Sequence, residues 1–136
     1  MSPSPAEAHQ SCEAIAHAYG VHADNWDAEA LADLFTEDGV FDRLGTQIAG
    51  RQTISEFIRN RPKDWWQRHQ TRNFTFELGE DGKTAKGTLD LVLERGKVGE
   101  NEVSQTLHCR YHDQFVLTDQ GWKFKIRTVV MKEPDA

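Results

Sequence analysis

The stretch YHDQFVLTDQGWKFKIR, residues 111 to 127, decides the fold, because apolar and polar residues alternate on both sides of a polar turn. Alternation with a period of two is typical of a β-strand that buries one face. The stretch therefore predicts an antiparallel hairpin that turns at residues 118–121. On the strand after the turn, the apolar face carries Trp122, Phe124 and Ile126. The opposite face, predicted to be solvated or an interface, carries Lys123, Lys125 and Arg127.

Two earlier strands alternate in the same way, over residues 74–78 and 89–93. Asp81-Gly82 between them is a strong hairpin signal. A polar loop at residues 96–101 leads into a longer strand, predicted from Val103, which runs into the hairpin above. The odd positions of that strand form its apolar face: Val103, Leu107, Cys109, Tyr111, Phe115 and Leu117.

The N-terminal half has the three- and four-residue spacing of helices instead. One helix is predicted from Ala8, a second after Asp24-Asn25, which can cap it, and a third that ends before Pro62. A short strand is expected at residues 40–42. The buried sides of the helices are predicted to be Cys12, Ile15 and Tyr19, then Leu31, Leu34 and Phe35, then Ile54, Phe57 and Ile58.

Helices first and hairpin-linked strands second indicate an α+β fold. The 136 residues suffice for one domain. We predict a strongly curved antiparallel sheet packed against the three helices of the N-terminal half as a conical barrel. A cavity between the two layers suits a small-molecule ligand. Residues 1–7, which contain two prolines, are predicted to be a disordered tail, and residues 8–132 the folded domain.

The composition argues against several classes of function. Acidic residues outnumber basic ones by 22 to 16, the formal net charge is −6, and no Lys/Arg block stands out, so no nucleic-acid partner is expected. No window approaches the ~18 apolar residues of a membrane-spanning helix, so no membrane partner is expected either. Cys12 and Cys109 belong to no CxxC motif and no signal peptide is visible, which favours a cytoplasmic protein with reduced thiols.

The histidine spacing predicts no metal site. His108 and His112 are four residues apart, and on a strand this separates their Cα atoms by about 13 Å. His17 and His22 are five residues apart, which is not the usual spacing of helical ligands. The chain also has no glycine-rich phosphate loop, Walker lysine or GxSxG motif. We therefore expect no metal ion, and the sequence gives no support for nucleotide binding or serine hydrolysis.

QRHQTRNF, residues 67–74, contains a histidine with two possible roles. His69 is either a surface residue in a polar connection or the base of a buried site. If the strand that starts here is regular, Asn73 points to the same face as His69. Because the residues around His69 are polar, the sequence alone favours the surface residue and leaves the buried base as the alternative.

Other polar and aromatic residues have the parity or position of cavity residues. Asp113 shares its strand face with Tyr111, so its side chain is expected to point inward, and Asp42 at the end of the short strand is a second candidate. Each carboxylate is either a cavity group or an acceptor for backbone amides, because a buried carboxylate must find a partner. Trp66, with Trp65 before it, either lines the cavity mouth or packs between the third helix and the sheet.

Four segments carry a family resemblance: AYGVHADNWDAEALADLFTEDGVFD at residues 18–42, Gly50-Arg51, RHQTRN at 68–73, and YHDQFVLTDQGWKFKIR at 111–127. They resemble the SnoaL-like branch of the NTF2-like superfamily over about residues 15–127. Within that branch the chain is most similar to the group of scytalone dehydratase, bile-acid dehydratase and hexachlorocyclohexane dehydrochlorinase. The resemblance implies a conical α+β barrel, usually oligomeric, in which a paired His and Asp abstract a proton and drive an elimination without a cofactor.

The family's motif residues fall on particular positions of this sequence. The resemblance implies that His69 is a general base assisted by Asp24, that Tyr19 completes the catalytic set, and that Asn73 and Arg127 contact the substrate. The residue pattern alone also allows Asp24 as a helix cap, Tyr19 as a core residue and Arg127 as a solvated residue. The full set of predicted substrate-binding residues is Asn73, Arg127, Asp42, Trp66, Tyr111 and Asp113.

The resemblance implies a dehydratase-like lyase or isomerase that acts on a small hydrophobic substrate, with ring-containing molecules among the candidates. An Asp–His pair suits this chemistry, because the carboxylate fixes the imidazole tautomer and stabilises the imidazolium that forms when the ring takes a proton. Two alternatives stay open: a non-catalytic ligand-binding or subunit-assembly protein, and an epoxide hydrolase or polyketide cyclase. A homodimer or higher homo-oligomer is expected in either case.

Overall fold

The computed structural model describes residues 3–133, so that Met1 and Ser2 of the predicted tail lie outside the described part. None of the helices within residues 3–133 is long and apolar enough to cross a membrane. The elements of this part follow in the order α1 (Pro5–Asp24), α2 (Ala28–Ala32), β1 (Phe35–Arg43), β2 (Thr46–Ala49), α3 (Arg51–Arg59), β3 (Trp65–Leu78), β4 (Thr84–Lys97), β5 (Gln105–Thr118) and β6 (Gly121–Met131).

The strands form one open, curved sheet in the order β2-β1-β6-β5-β4-β3. Neighbouring strands are antiparallel except β1 and β6, which run parallel. Helix α1 packs on β3 and β6, and α3 packs on β1, β2 and α2. The predicted α+β class, with helices against a curved sheet, is confirmed. Aromatic side chains fill much of the space between the layers: Tyr19, Phe35, Phe41, Tyr111, Phe115, Trp122 and Phe124.

Helix α1 begins at Pro5, three residues before the predicted start. The Ser4 hydroxyl accepts the backbone N–H of Glu7 at 3.1 Å, and the Glu7 carboxylate accepts the backbone N–H of Ser4 at 3.0 Å. This capping box satisfies two N–H groups at the helix start, and Pro5 is favourable in the first turn because it needs no donor there. Residues 5–7, predicted as part of a disordered tail, are therefore helical.

The second helix is shorter than predicted and is capped by a different residue. Asp27 accepts the backbone N–H of Ala30 at 3.1 Å, so Asp27 is the N-cap of α2. Asp24 is the last residue of α1, and the alternative in which it caps the second helix is wrong. Phe35, predicted on the second helix, is the first residue of β1. The Asp24 carboxylate is thus available to another partner.

A β-bulge in β6 reverses the predicted faces of its second half. Gln114 of β5 pairs with Ile126 and Phe115 pairs with Phe124, so Lys125 is the extra residue. An extra residue shifts the alternation by one position. Arg127 consequently shares the inner face with Phe124 and has 0% exposure. The prediction that Arg127 lies with the lysines on a solvated face is wrong for this reason.

A second bulge interrupts β3. Arg72 pairs with Asp90 and Thr75 pairs with Thr88, which leaves two residues opposite one. Asn73 in this bulge has a φ of 62°, in the left-handed region that Asn tolerates better than most residues. The strand is therefore not regular between His69 and Asn73, and the predicted shared face is lost.

Candidate active site

A cavity of about 70 Å³ lies between α1, α3 and the inner face of the sheet. Depressions elsewhere on the described surface, such as the one at Phe76 and His112, are more open to solvent. The apolar wall is formed by Ala23, Phe41, Leu44, Phe57, Ile58, Leu91, Leu93, Leu107 and Val129. The polar lining is formed by Tyr19, Arg43, Arg61, Gln67, His69, Cys109 and Tyr111.

Asp24 and His69 form a hydrogen-bonded pair at this cavity. Nδ1 of His69 donates to Oδ1 of Asp24 at 2.5 Å, and the backbone N–H of His69 donates to Oδ2 at 2.9 Å. An ionised carboxylate only accepts hydrogen bonds, so Nδ1 carries the ring proton. Nε2 makes no hydrogen bond within the described part of the chain. The carboxylate therefore fixes the ring and leaves Nε2 as its basic nitrogen.

His69 is not a loop residue. It lies in β3, its side chain is 8% exposed, and its ring forms part of the cavity wall. Of the two alternatives that the sequence left open, the surface residue in a polar connection is wrong. The catalytic role of the pair stays a prediction, which the geometry makes chemically possible.

Gly20 allows His69 to approach α1 closely. A Cβ atom added at Gly20 would lie 2.7 Å from Cβ of His69 and 3.3 Å from its Cγ. Real Cβ atoms do not make the shorter of these contacts. Gly20 stands four residues before Asp24 on α1, and residues four apart share a helix face. On one face of α1, the missing side chain of Gly20 therefore leaves room for His69, and the Asp24 carboxylate binds it.

Tyr19 and Tyr111 line the cavity beside the pair. The ring centroid of Tyr19 is 6.2 Å from that of His69 and 5.8 Å from that of Tyr111. Burial raises the pKa of Tyr19, against a smaller opposing effect of nearby arginines, and raises the pKa of Tyr111 well above its usual value. Both phenols therefore stay protonated, and a neutral phenol can donate a hydrogen bond to developing negative charge.

Arg127 and Asp113 form a buried pair behind the cavity. Nε and Nη2 of Arg127 donate to the two oxygens of Asp113 at 2.9 and 3.2 Å, and Nη1 donates to the carbonyl of Ala16 at 3.1 Å. The guanidinium carbon is 3.5 Å from the ring centroid of Tyr111. Burial raises the pKa of Asp113, and Arg127 opposes the rise. Neither residue lines the cavity, and the predicted contact of each with a substrate stays a prediction.

Asn73 and Asp42 also lie away from the cavity. The Asn73 amide donates to the Asp90 carboxylate at 3.0 Å, because the bulge in β3 turns the side chain away from His69. Asp42 accepts the backbone N–H of Gly45 at 3.2 Å in the turn after β1. Of the two roles considered for Asp42, the acceptor for backbone amides is therefore the one that the structure contains.

Trp66 lies outside the cavity as well. Its indole N–H donates to the carbonyl of Glu100 at 2.9 Å, and the Arg68 guanidinium lies 5.7 Å from its ring centroid. Its ring packs so closely on Gly96 that a Cβ atom there would collide with it. Trp66 therefore has a packing role, but against Gly96 of β4 and the β4–β5 connection and not between the third helix and the sheet as predicted.

Three polar residues of the cavity were not predicted from the sequence, Arg43, Arg61 and Gln67, whereas strand parity placed Cys109 on the inner face without a site role. Strand parity could have found two of them, because Arg43 stands two residues after Phe41 and Gln67 two residues before His69. The Gln67 amide donates to the carbonyl of Ala23 at 2.9 Å. Arg61 follows the end of α3, where neither strand nor helix periodicity assigns a direction.

No group of three or more His, Cys, Asp or Glu side chains within residues 3–133 is placed to hold a metal ion. The polar groups of the cavity are instead one base, two phenols, one amide, one thiol and two guanidinium groups. This set can accept a proton, donate hydrogen bonds and bind negative charge.

Comparisons with known proteins agree with this architecture. The family model for the SnoaL-like domain matches residues 4–128, and no curated protein matches the chain. A proposed scytalone dehydratase from Novosphingobium aromaticivorans superposes with a TM-score of 0.80 at 21% identity, over 92% of this chain and 84% of that one. An NTF2-like protein with a cystatin-like fold from the same organism gives 0.78 at 25% identity, over 96% and 85% of the two chains. LinA gives 0.80 at 17% identity, over 92% and 86%. The chain therefore belongs to the SnoaL-like family and has an NTF2-like fold.

Proposed function

We propose that this protein is a cofactor-independent enzyme, a dehydratase-like lyase or isomerase, in which His69 removes a proton from a small substrate. The observation that carries the proposal is the fixed geometry of His69, which Asp24 holds at two points on the wall of an apolar cavity. The likeness of the chain to a proposed scytalone dehydratase supports the elimination class.

The proton moves from a substrate carbon to Nε2 of His69. The Asp24 carboxylate stabilises the imidazolium that forms, as carboxylates do in related dyads. The electron pair of the broken C–H bond moves towards a neighbouring carbonyl, whose oxygen accepts a hydrogen bond from the Tyr19 hydroxyl, with Tyr111 as a second candidate donor.

The fate of the proton distinguishes the two reaction types. In an elimination, the electron pair expels a group from the next carbon, and the imidazolium returns its proton to a departing hydroxyl, which leaves as water. In an isomerisation, the imidazolium returns the proton to a different carbon. Both balance without an oxidant, a reductant or a metal.

The test uses a generic carbon acid, because the natural substrate is not assigned. 5-Nitrobenzisoxazole loses its ring C–H proton to a base, its N–O bond breaks, and a coloured nitrophenolate forms. We expect the wild type to accelerate this reaction and His69→Ala to lower the rate about 10²–10⁴-fold, the usual contribution of general acid–base catalysis. Asp24→Asn should lower it in the same direction, because the amide no longer fixes the required tautomer.

The matched control is His9→Ala, which removes an exposed histidine from α1 that lies outside both the cavity and the expected dimer face. Its rate should equal that of the wild type, and thermal melting should show all three variants folded. If the wild type reacts no faster than His69→Ala, the protein does not use this base, and the non-catalytic ligand-binding alternative takes its place.

A homodimer remains part of the proposal. The outer face of β5 carries His108, Arg110 and His112, and the Arg110 side chain donates to Asp90 of the adjacent strand at 2.7 Å. This ordered polar face is the surface through which we expect two copies to pair. Light scattering on the purified protein should give twice the monomer mass of 15.5 kDa, and the monomer mass would contradict the expectation.

A further inference from the structure

Three arginines lie around the mouth of the cavity. Arg43 ends β1, Arg61 follows α3, and both contribute to the cavity lining. Arg95 pairs with Gln67 across β3 and β4, and it stands two residues after Leu93 on the same strand face. Because Gln67 and Leu93 both line the cavity, Arg95 extends the same wall towards the opening.

The guanidinium groups of these arginines rest on aromatic rings. The guanidinium carbons of Arg43 and Arg61 lie 5.8 and 5.2 Å from the ring centroid of Phe57, which itself lines the cavity. That of Arg95 lies 5.6 Å from the ring centroid of Trp65. Aromatic contact keeps such side chains in place without neutralising their charge.

Within residues 3–133, none of the three is in an ion pair with a carboxylate. Other arginines of this acidic protein do have such partners: Arg59 with Glu29, Arg68 with Glu94, Arg110 with Asp90, and Arg127 with Asp113. Nε of Arg95 is buried and has no hydrogen-bond partner in the described part of the chain. Unpaired buried donors are rare in native proteins and call for an explanation.

The three charges also oppose one another. Burial lowers the pKa of Arg61, and the neighbouring charges of Arg43 and Arg95 lower it further. Burial raises the pKa of two cavity residues, Tyr19 and Cys109, and the charge of Arg43 opposes this rise in both. The charge of Arg43 therefore acts on groups inside the cavity. An anion at the mouth would relieve the repulsion and supply an acceptor for the unpaired Nε of Arg95.

We propose that Arg43, Arg61 and Arg95 bind an oxyanion, a carboxylate or a phosphate ester, at one end of the substrate, whose apolar part enters the cavity beside His69. This inference deepens the proposed function and rests on it for the statement that the anion is a substrate. Guanidinium groups suit either oxyanion, because their N–H groups match paired oxygens. The anionic end stays at the opening, so the small enclosed volume needs to hold only the reacting part.

The experiment compares three probes of similar ring size by isothermal titration calorimetry: benzoate, phenyl phosphate and neutral benzamide. We expect at least one anion to bind at least about tenfold more tightly than benzamide, since hydrogen bonds to a charged group contribute about that much. Tighter binding of benzoate would identify the oxyanion as a carboxylate, and tighter binding of phenyl phosphate would identify it as a phosphate ester. Arg61→Gln and Arg43→Gln should each weaken the binding of that anion about tenfold or more, while benzamide binding stays unchanged.

Arg68→Gln is the matched control. Arg68 stands next to His69 on β3, but it is exposed and pairs with Glu94 on the outer side, so its removal should leave anion binding unchanged. A second measurement uses the wild type alone. Anion affinity should fall as salt rises from about 0.01 to about 1 M, where charges are screened, and benzamide affinity should not.

The proposal is overturned if benzamide binds as tightly as both anions, if both glutamine variants bind the anion like the wild type, or if salt has no effect on anion affinity. Equilibrium binding needs no proton transfer, so the calorimetry and the benzisoxazole assay test the anion site and the proposed function separately. Anion binding without benzisoxazole turnover would remove the proposed catalysis and keep the anion site. Turnover without selective anion binding would do the reverse.

Discussion

Two hydrogen-bonded pairs of side chains join α1 to the sheet, and they differ in whether a hydrogen-bonding atom is left without a partner. Arg127 contacts both oxygens of Asp113 and a carbonyl of α1, and both side chains have 0% exposure. Asp24 contacts His69 at two points, but Nε2 of His69 has no partner in the described part of the chain and its ring lines a cavity. A pair whose contacts are complete stabilises the fold, whereas a pair that leaves one atom open at a cavity can react.

The largest expected effect comes from breaking the buried pair. Arg127→Ala leaves the Asp113 carboxylate buried without its partner, and such losses typically cost about 3–5 kcal/mol. The free energy of unfolding, measured by urea denaturation, should fall by about that amount. A fall below about 1 kcal/mol would mean that the pair is not buried in solution.

The double variant Arg127→Met with Asp113→Leu is the control for that result. It removes both charges together, and replacing a buried ion pair by apolar residues of similar volume is often neutral or stabilising. The double variant should therefore recover most of the stability that Arg127→Ala loses. If it does not, the loss comes from packing around Tyr111 and not from the unpaired carboxylate.

The second effect tests the position of His69 without changing either member of its pair. The added Cβ of Gly20→Ala would lie 2.7 Å from Cβ of His69, so the histidine must move. Misplacement by about 1 Å can cost a catalytic site about 10²-fold, and we expect the benzisoxazole rate to fall by about that factor. Val21→Ala is the matched control, because Val21 is the next residue of α1 and is exposed. Full activity in Gly20→Ala would show that the close contact does not position the base.

The smallest expected effect concerns Asp90, a carboxylate that contacts Asn73 and Arg110. The hydrogen bond from Arg110 is the largest cause that lowers the pKa of Asp90 to about 2, with a further contribution from Asn73. Because the folded-state pKa lies below the ordinary value of 3.8, Asp90 stabilises the protein above about pH 4, and this contribution is lost as the pH falls towards 2.

Asp90→Asn removes that titration. Urea denaturation between about pH 2 and pH 5 should give a shallower pH dependence for Asp90→Asn than for the wild type. Parallel curves for the two proteins would mean that the carboxylate is not held by these contacts. Unlike the change at Gly20, this substitution should leave the benzisoxazole rate unchanged, because Asp90 does not line the cavity.

Periodicity was enough to predict three helices, the hairpins and the inner faces of β4 and β5, but it made the second helix too long, because Phe35 begins β1. It failed where a strand gains one residue, because Lys123 to Arg127 alternate without a glycine or proline to mark the bulge at Lys125. For the same reason, periodicity wrongly placed Asn73 on the face of His69. Asn tolerates the left-handed region that this bulge requires, so its presence in the strand was a weak sequence signal.

The site was predicted in part. The positions of Asp24, His69 and Tyr19 follow from family motifs, but the sequence alone could not show that Asp27, not Asp24, caps α2. The arginines at the cavity mouth were missed for a different reason. Arg43 and Arg61 come from separate elements that meet only in the folded chain, and a periodic pattern assigns each residue only within its own element.

The contact between α1 and β3 has a consequence for association. β3 is an edge strand of the sheet, and a bare edge offers N–H and C=O groups to the strand of another molecule. Here the Asp24 carboxylate accepts the edge N–H of His69, while the side chains of His17 and Gln67 join the helix to the same strand. The carboxylate that orients the candidate base therefore also occupies an edge N–H group that a strand of another molecule would need for pairing.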